Sequence, residues 1–322
     1  MNRLLEIKDL SVVFDTPDGS VKAVNNISLD VDRGECLAIV GESGSGKSQT
    51  FLTAMGLLAD NGRSAGIINL NGSDLLNMQR NDLNKLRGNR IAMIFQDPMT
   101  ALTPHMKVGE QIREVLDHHQ GLGKKAACEI IREMFNKVNI PEPDRRMEMY
   151  PHELSGGLRQ RVMIAMALIC KPDVIIADEP TTALDVTVQA QIMDLLNEIK
   201  TEIGAAIILI THDLGVVAGI ADRVAVMYAG SIVESGEVFD IFYNTKHPYT
   251  LGLLNCSLSL EKKIDFLEAI DGHPPNPNNL PNGCPFNPRC KNVRDICREE
   301  KPELKIKKQN HSSACHFELG VQ

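Results

Sequence analysis

Residues 41–48 run Gly-Glu-Ser-Gly-Ser-Gly-Lys-Ser, a complete phosphate-binding loop. Glycines at 41, 44 and 46 let the backbone curl so that successive N–H groups point at phosphate oxygens, at the positive end of a helix beginning near Ser48. In that setting Lys47 bridges the β and γ phosphates of a nucleoside triphosphate and the Ser48 hydroxyl binds Mg²⁺. Further along, the apolar strand Val174–Ala177 ends on Asp178 and Glu179. Two carboxylates then stand at the C-terminal edge of a sheet, where open α/β folds bind ligands. Asp178 would hold Mg²⁺ through water, and Glu179 would face the attacking water as general base or polariser.

Other motifs gain meaning only in combination. Leu154-Ser155-Gly156-Gly157 precedes a helical run, Leu158–Cys170, and alone it is a serine N-cap with a flexible turn. Gln96, in Ile94-Phe95-Gln96-Asp97-Pro98, is by itself a polar loop residue after a strand, and His212, ending the strand Ile207–Thr211, is by itself a structural histidine. Phe14 is the one aromatic placed to stack on adenine, and it also suits a core strand position.

The order of these parts resembles the ATP-binding cassette family, whose members drive mechanical work by clamping two cassettes around ATP. The resemblance implies that Ser43, Gly44, Ser45, Gly46, Lys47, Ser48 and Gln49 cradle the nucleotide, and that Phe14 stacks on its base where the family commonly has Tyr. It implies that Ser155, Gly156 and Gly157 aim a helix tip at the γ-phosphate held by the other subunit. Gln160, in Arg159-Gln160-Arg161, continues that motif and joins the nucleotide-binding set, while Leu158 stands where the family often has Gln. Gln96 would ligate Mg²⁺ and the water. His212 would contact the γ-phosphate and hold the water in line. Asp185, in Thr182-Ala183-Leu184-Asp185, would lie on the loop that crosses the dimer interface. In family geometry Ser155–Gly157 cannot reach the nucleotide of their own chain, so two chains sandwich two ATP molecules.

The elements that must position these residues read as an α/β chain. Short runs Leu10–Phe14, Ile27–Val31 and Cys36–Val40, broken by Thr16-Pro17-Asp18-Gly19, predict an antiparallel start. Leu37–Val40 reads as the buried strand before the loop and Ser48–Leu58 as the helix after it. Val108–His118 and Lys124–Val138 have helical periodicity, the second through Ala126, Ile130, Met134 and Val138, with Pro141 and Pro143 closing it. Strands Val174–Ala177, Ala206–Ile210 and Arg223–Met227, with the helix Val186–Glu198, restore the alternation of a parallel sheet. After His247-Pro248-Tyr249 this rhythm is lost, and 273–290 is dense in Pro and Asn. The expected fold is a RecA-like α/β nucleotide-binding core with N-terminal antiparallel strands. Its organisation is a first core segment 1–99, a helical subdomain 100–153, a second core segment 154–250, and a loop-rich C-terminal extension 251–322.

Composition narrows the function classes. The net charge of −8 argues against nucleic acid, whose phosphates call for clustered Lys and Arg. Met1–Lys8 alternates charged and apolar residues too quickly for a signal peptide, and no apolar run approaches the ~20 residues of a membrane helix. A cytoplasmic chain is expected, with any membrane role exercised through a partner. Of eight cysteines, Cys36, Cys128, Cys170 and Cys256 sit among apolar neighbours and are expected in the core. Cys284, Cys290, Cys297 and Cys315 crowd the tail, and in a reducing compartment clustered thiols suggest metal before disulfides. Their spacing lacks Cys-x2-Cys knuckles and leaves Zn²⁺, an iron–sulfur cluster and unligated thiols open.

Beyond the ATP motifs, Met93–Pro98, Met149–Glu153, Asp178–Gln191, His212–Ile220, His247-Pro248-Tyr249 and the cysteine tail resemble the peptide-importer branch, nearest the ATP-binding subunits of bacterial oligopeptide permeases. That resemblance implies a [4Fe–4S] cluster on the four tail cysteines. It also implies a heterodimer with a second ATP-binding subunit, docked on two membrane permease subunits at the cytoplasmic face of the inner membrane. An extracytoplasmic peptide-binding protein would deliver the cargo. Dipeptide and nickel importer subunits share the same body. A soluble cassette ATPase of DNA repair or translation fits less well, because no long coiled coil separates the nucleotide half-sites and the chain carries one cassette.

Overall fold

A computed structural model of the protein describes residues 3–182, 185–261, 270–308 and 310–319. Met1 and Asn2 of the N-terminal reading, and Ala183 and Leu184 of the motif before Asp185, lie outside the described residues. In chain order the strands are β1 (Arg3–Thr16), β2 (Gly19–Asp32), β3 (Cys36–Val40), β4 (Gly62–Leu70), β5 (Ser73–Asp74), β6 (Ile91–Ile94), β7 (Val174–Asp178), β8 (Ala206–Thr211), β9 (Arg223–Tyr228), β10 (Ser231–Glu237), β11 (Lys305–Lys308) and β12 (His311–Ser313). The helices are α1 (Lys47–Ala54), α2 (Arg80–Leu86), α3 (Pro98–Ala101), α4 (Val108–Gln120), α5 (Lys124–Lys137), α6 (Pro143–Met147), α7 (Gly156–Leu168), α8 (Val186–Ile203), α9 (Leu214–Ile220), α10 (Val238–Tyr243), α11 (Pro248–Glu261) and α12 (Asp295–Glu299). Two compact units result, one from residues up to Asn77 together with Leu209 onward, the other from Met78–Ile208.

The first unit opens on an antiparallel sheet in the order β2-β1-β4-β5. Thr16 faces Gly19 across the Pro17-Asp18 turn, so the break in the sequence is a hairpin. Both hairpin strands run to 14 residues, well beyond the apolar runs that announce them. Asp9 and Asn26 take left-handed φ values of 49° and 52°, and the register shifts around Leu10. Such bulges reset which side chains face inward and break the alternation into short pieces. The same unit pairs β3 parallel to β9 and β9 antiparallel to β10. It then adds the hairpin β11–β12 antiparallel to β10. The tail is therefore not only loop: it contributes two strands, and α11 supplies 14 helical residues where no rhythm was visible. In the other direction α1 stops at Ala54, short of Leu58, because Gly56 at φ 60° turns the chain out of the helix.

In the second unit β6 pairs parallel to β7, and all five residues of β7 are buried. Helices α4 and α5 bury Ile112 and Leu116 from one and Ala127, Ile131, Met134 and Phe135 from the other. Of the expected α5 positions Met134 and Val138 are buried, but Ala126 is exposed and Ile130 half-buried, with Ala127 and Ile131 buried beside them. Two apolar stripes adjoin on this helix, and burying Phe135 decides between them. Helix α8 continues past Glu198 to Ile203 and ends on Gly204 at φ 67°. Among the described residues no helix is long and apolar enough to cross a membrane.

One buried carboxylate anchors the tail hairpin within the first unit. Glu234 on β10 is fully buried, and it accepts hydrogen bonds from the backbone N–H groups of Lys246 (2.6 Å) and His247 (3.0 Å). Its Oε1 lies 2.8 Å from Nε2 of His311 on β12, itself fully buried. The imidazole of His247 is buried too, and its Nδ1 accepts from the Tyr249 N–H at 3.1 Å. Burial pushes its pKa down to about 3, so His247 is a neutral packing residue at neutral pH.

Candidate active site

The phosphate loop leaves a strand whose five residues are buried, and Lys47 opens α1. At Gly46, φ is 98° and a Cβ would run into the Ala23 carbonyl, so only glycine fits there. Lys47 is 6% exposed, and its ammonium donates to the carbonyls of Gly41 (2.7 Å) and Glu42 (3.0 Å). The Gly230 N–H donates to the Ser45 carbonyl at 3.0 Å and fixes the loop from the side. Ser43 and Gly44 are exposed, Ser48 and Gln49 half-buried, and the Ser45 hydroxyl is buried without a hydrogen-bond partner. Phe14 is half-buried on β1, paired with Val21 and Gly62. His212 is exposed just beyond β8, and Asp213 after it caps α9 by accepting from the Gly215 N–H at 2.8 Å.

The carboxylates belong to the second unit. Asp178 ends β7 and is buried, whereas Glu179 is half-buried. Glu179 takes φ 45°, a left-handed conformation that costs a non-glycine residue on the order of 1–3 kcal/mol and concentrates at functional sites. Its Oε2 accepts from Gln96 Nε2 and from Thr182 Oγ1, each at 2.9 Å. The Gln96 amide, expected only as a ligand of Mg²⁺ and the water, is thus also joined to Glu179. Thr182 is a site residue that the sequence reading passed over. Its position three residues after Glu179, in a turn with a hydroxyl, is the signal that could have identified it.

Helix α7 presents its N-terminus outward. Ser155 and Gly156 are exposed, and the Ser155 hydroxyl caps the helix by accepting from the Leu158 N–H at 3.4 Å. Gly157 lies half-buried against Val188 of α8. Gln160 is turned inward: it is 2% exposed, and its amide donates to the Pro180 carbonyl at 2.6 Å. That bond ties α7 to the turn that carries Glu179. Asp185 caps α8 by accepting from the Val188 N–H at 2.9 Å. The exposed serine-capped tip of a 13-residue helix can receive an anion, since its N–H groups and dipole point outward there.

In the tail, Cys284, Cys290, Cys297 and Cys315 line one cavity of about 240 Å³. Burial pushes the Cys284 thiol up to about 11 and raises Cys290 and Cys315 as well. Among the described residues, no three or more His, Cys, Asp or Glu side chains come together in a way that could hold a metal ion. The expected metal centre is therefore not preformed, although its four thiols surround a single space. Of the other cysteines Cys36 is buried, as a core residue is, but Cys128, Cys170 and Cys256 are half-buried. Their apolar neighbours line helix flanks and ends, where one side of the residue meets solvent.

Residues 24–182 match the family described as ABC transporter, and residues 233–297 match the oligopeptide/dipeptide transporter C-terminal region. The chain is 58% identical over 301 residues to the oligopeptide transport ATP-binding protein OppD of Salmonella typhimurium, covering 94% of this chain and 90% of that one. It is 49% identical to the dipeptide transport ATP-binding protein DppD of Bacillus subtilis, covering 98% and 95% of the two chains. Among solved structures, the ATP-binding cassette MJ0796 in a dimeric post-hydrolysis state with ADP and Pi matches with a TM-score of 0.66 at 27% identity, over 73% of this chain and 98% of that one. The loop, the strand-end carboxylates and the helix tip thus sit in a mixed α/β fold shared with proteins of known class, and the chain belongs to the ABC transporter family as one of its ATP-hydrolysing, ATP-binding subunits.

Proposed function

We propose that this chain is a motor subunit of a bacterial peptide importer, coupling ATP binding and hydrolysis to the entry of oligopeptides. The observation that carries the reading is the 58% identity to an oligopeptide transport ATP-binding protein, which extends through the tail as well as the nucleotide motifs. In this reading Lys47 and the loop N–H groups bind the β and γ phosphates, and the base stacks on Phe14. Ser48 and Gln96 would hold Mg²⁺, a hard cation that takes hydroxyl and amide oxygens, and Asp178 would hold it through water. Glu179, steadied by Gln96 and Thr182, receives the proton of the attacking water, and His212 holds that water in line.

The exposed tip at Ser155–Gly157 completes the nucleotide site of a second cassette, and Asp185 lies on the crossing loop. Attraction to the nucleotide closes the dimer, and hydrolysis releases it. The partner is a similar but non-identical cassette. Both dock peripherally on two permease subunits at the cytoplasmic face of the inner membrane, through the helical segment 100–153 and the loop after Gln96, and a binding protein outside supplies the peptide. Within this scheme the chain comprises the core segments 1–99 and 154–250, the helical segment and the extension 251–322. Reconstitution of the co-purified complex in vesicles, with a labelled peptide and its binding protein, is expected to give ATP-dependent peptide accumulation. ATP-driven uptake of nickel and not of peptide would move the assignment to the metal-importing relatives.

The finer reading of the tail is a [4Fe–4S] cluster on Cys284, Cys290, Cys297 and Cys315. It is supported by the position of all four thiols around one cavity and by a donor set of thiolates alone, the ligands such clusters take. When bound, the cluster would supply a covalent cross-link among tail segments, and nothing in ATP hydrolysis calls for an electron carrier. Anaerobically purified protein is expected to be brown, with close to four irons per chain. Stoichiometric zinc in a colourless sample would sink the cluster reading.

A further inference from the structure

The second residue of the phosphate loop is held from the far end of the chain. Glu42 lies between Gly41 and Ser43, and its carboxylate receives both prongs of the Arg289 guanidinium, at 2.6 Å and 3.0 Å. The Arg289 side chain is only 4% exposed and that of Glu42 29%. Arg289 is itself fixed by its surroundings. It donates to the carbonyls of Asp271 (3.0 Å) and Ile270 (3.2 Å), and it lies 3.4 Å from the Tyr228 hydroxyl. A planar fork fixed on every side gives a directional, bidentate grip that a flexible surface pair does not.

The backbone of Glu42 is held as well. Its N–H donates to the hydroxyl of the fully buried Tyr249 at 2.9 Å. Its carbonyl accepts from Lys47 (3.0 Å) and from the Ser45 N–H (3.3 Å). Tyr249 packs against Tyr228 and Phe286, with ring centroids 4.5 Å and 5.4 Å away, and Phe286 stands three residues before Arg289. The proline segment at Pro274, Pro275 and Pro277 borders the narrow space beside Ser43, Gly44 and Ser45. A loop with glycines at 41, 44 and 46 has high conformational freedom, and aligning its N–H groups on an anion costs entropy unless something orders it beforehand.

We propose that Arg289 is a positioning residue for nucleotide binding: through its bidentate pair with Glu42, the C-terminal extension preorganises the phosphate loop. The proposal rests on the ATPase reading given above. It makes the extension part of the nucleotide site, with Arg289 touching the loop and not the nucleotide.

The test is a double-mutant cycle on the full chain in its complex, with Arg289→Met, Glu42→Gln and the pair together. Affinity is measured with a fluorescent ATP analogue, and KM and kcat are measured for ATP hydrolysis. Each single change is expected to weaken binding on the order of 10-fold, with KM rising more than kcat falls. The double change should be no worse than the poorer single, because both remove one interaction. Arg289→Lys should recover part of the loss, and the charge swap Glu42→Arg with Arg289→Glu should bind better than either reversal alone. Native affinity in Glu42→Gln, or losses that simply add, would overturn the proposal. If Arg289→Met fails to fold, Glu42→Gln still decides, since it leaves the tail untouched. Native protein that binds no ATP would instead overturn the ATPase reading.

Discussion

Glu179→Gln is expected to abolish turnover while ATP still binds. A positioned catalytic base typically contributes ~10²–10⁴-fold, and the amide cannot take the proton. The substitution is nearly isosteric, and the strained φ of 45° belongs to the backbone, so the fold should be unaffected. Gln96 and Thr182 donate to the carboxylate, each at 2.9 Å, and an amide oxygen can still accept one or both of these bonds. The expected result is steady-state ATP hydrolysis reduced at least ~10²-fold, with a long-lived closed dimer trapped with the partner cassette. Hydrolysis at the native rate would show that Glu179 does not act on the water. Thr182→Ala gives a graded control: it removes one of two anchors on the same oxygen and should lower turnover far less.

Glu234→Ala should produce the largest loss of stability. Three donors converge on this buried carboxylate, from Lys246, His247 and His311. Deleting it strands two backbone N–H groups and an imidazole nitrogen away from water. Leaving a buried donor without its acceptor typically costs about 1–3 kcal/mol, so three together should cost on the order of 3–5 kcal/mol. For a large domain that corresponds to a fall of roughly 6–15 °C in Tm. Glu234→Gln, which keeps an acceptor in place, should cost much less. A thermal unfolding scan of the three proteins distinguishes these outcomes, and an alanine variant melting within about 2 °C of native would show that the network contributes little.

Much of the framework around the nucleotide motifs was legible because it depends on local order. A glycine-spaced loop between an apolar strand and a helix, and carboxylates at the end of an apolar strand, are patterns that the neighbouring residues alone must satisfy. The helix tip at Ser155 needed the whole set of motifs to acquire a meaning, because a serine N-cap looks alike wherever it occurs. What stayed hidden depends on contacts between distant positions. The β1–β2 hairpin is longer than its apolar runs because bulges at Asp9 and Asn26 interrupt the alternation. On α5 two apolar faces adjoin, so Ala127 and Ile131 are buried in place of Ala126 and Ile130, while Met134 and Val138 are buried as expected. Strands β11 and β12 are short, four and three residues, and β12 gains its order from pairing with β10 and from Glu234, neither of which a local window contains. Nothing near Glu42 in the sequence points to Arg289, because that contact spans 247 positions.

The bond between Glu42 and Arg289 joins residues 247 positions apart. Protein synthesis runs from the amino end, so the loop is made early and waits for most of the chain before its anchor exists. Shortened products of a broken message or a stalled ribosome would carry the loop without the anchor. With Arg289 in the role proposed for it, the loop is ordered only in chains translated through that residue.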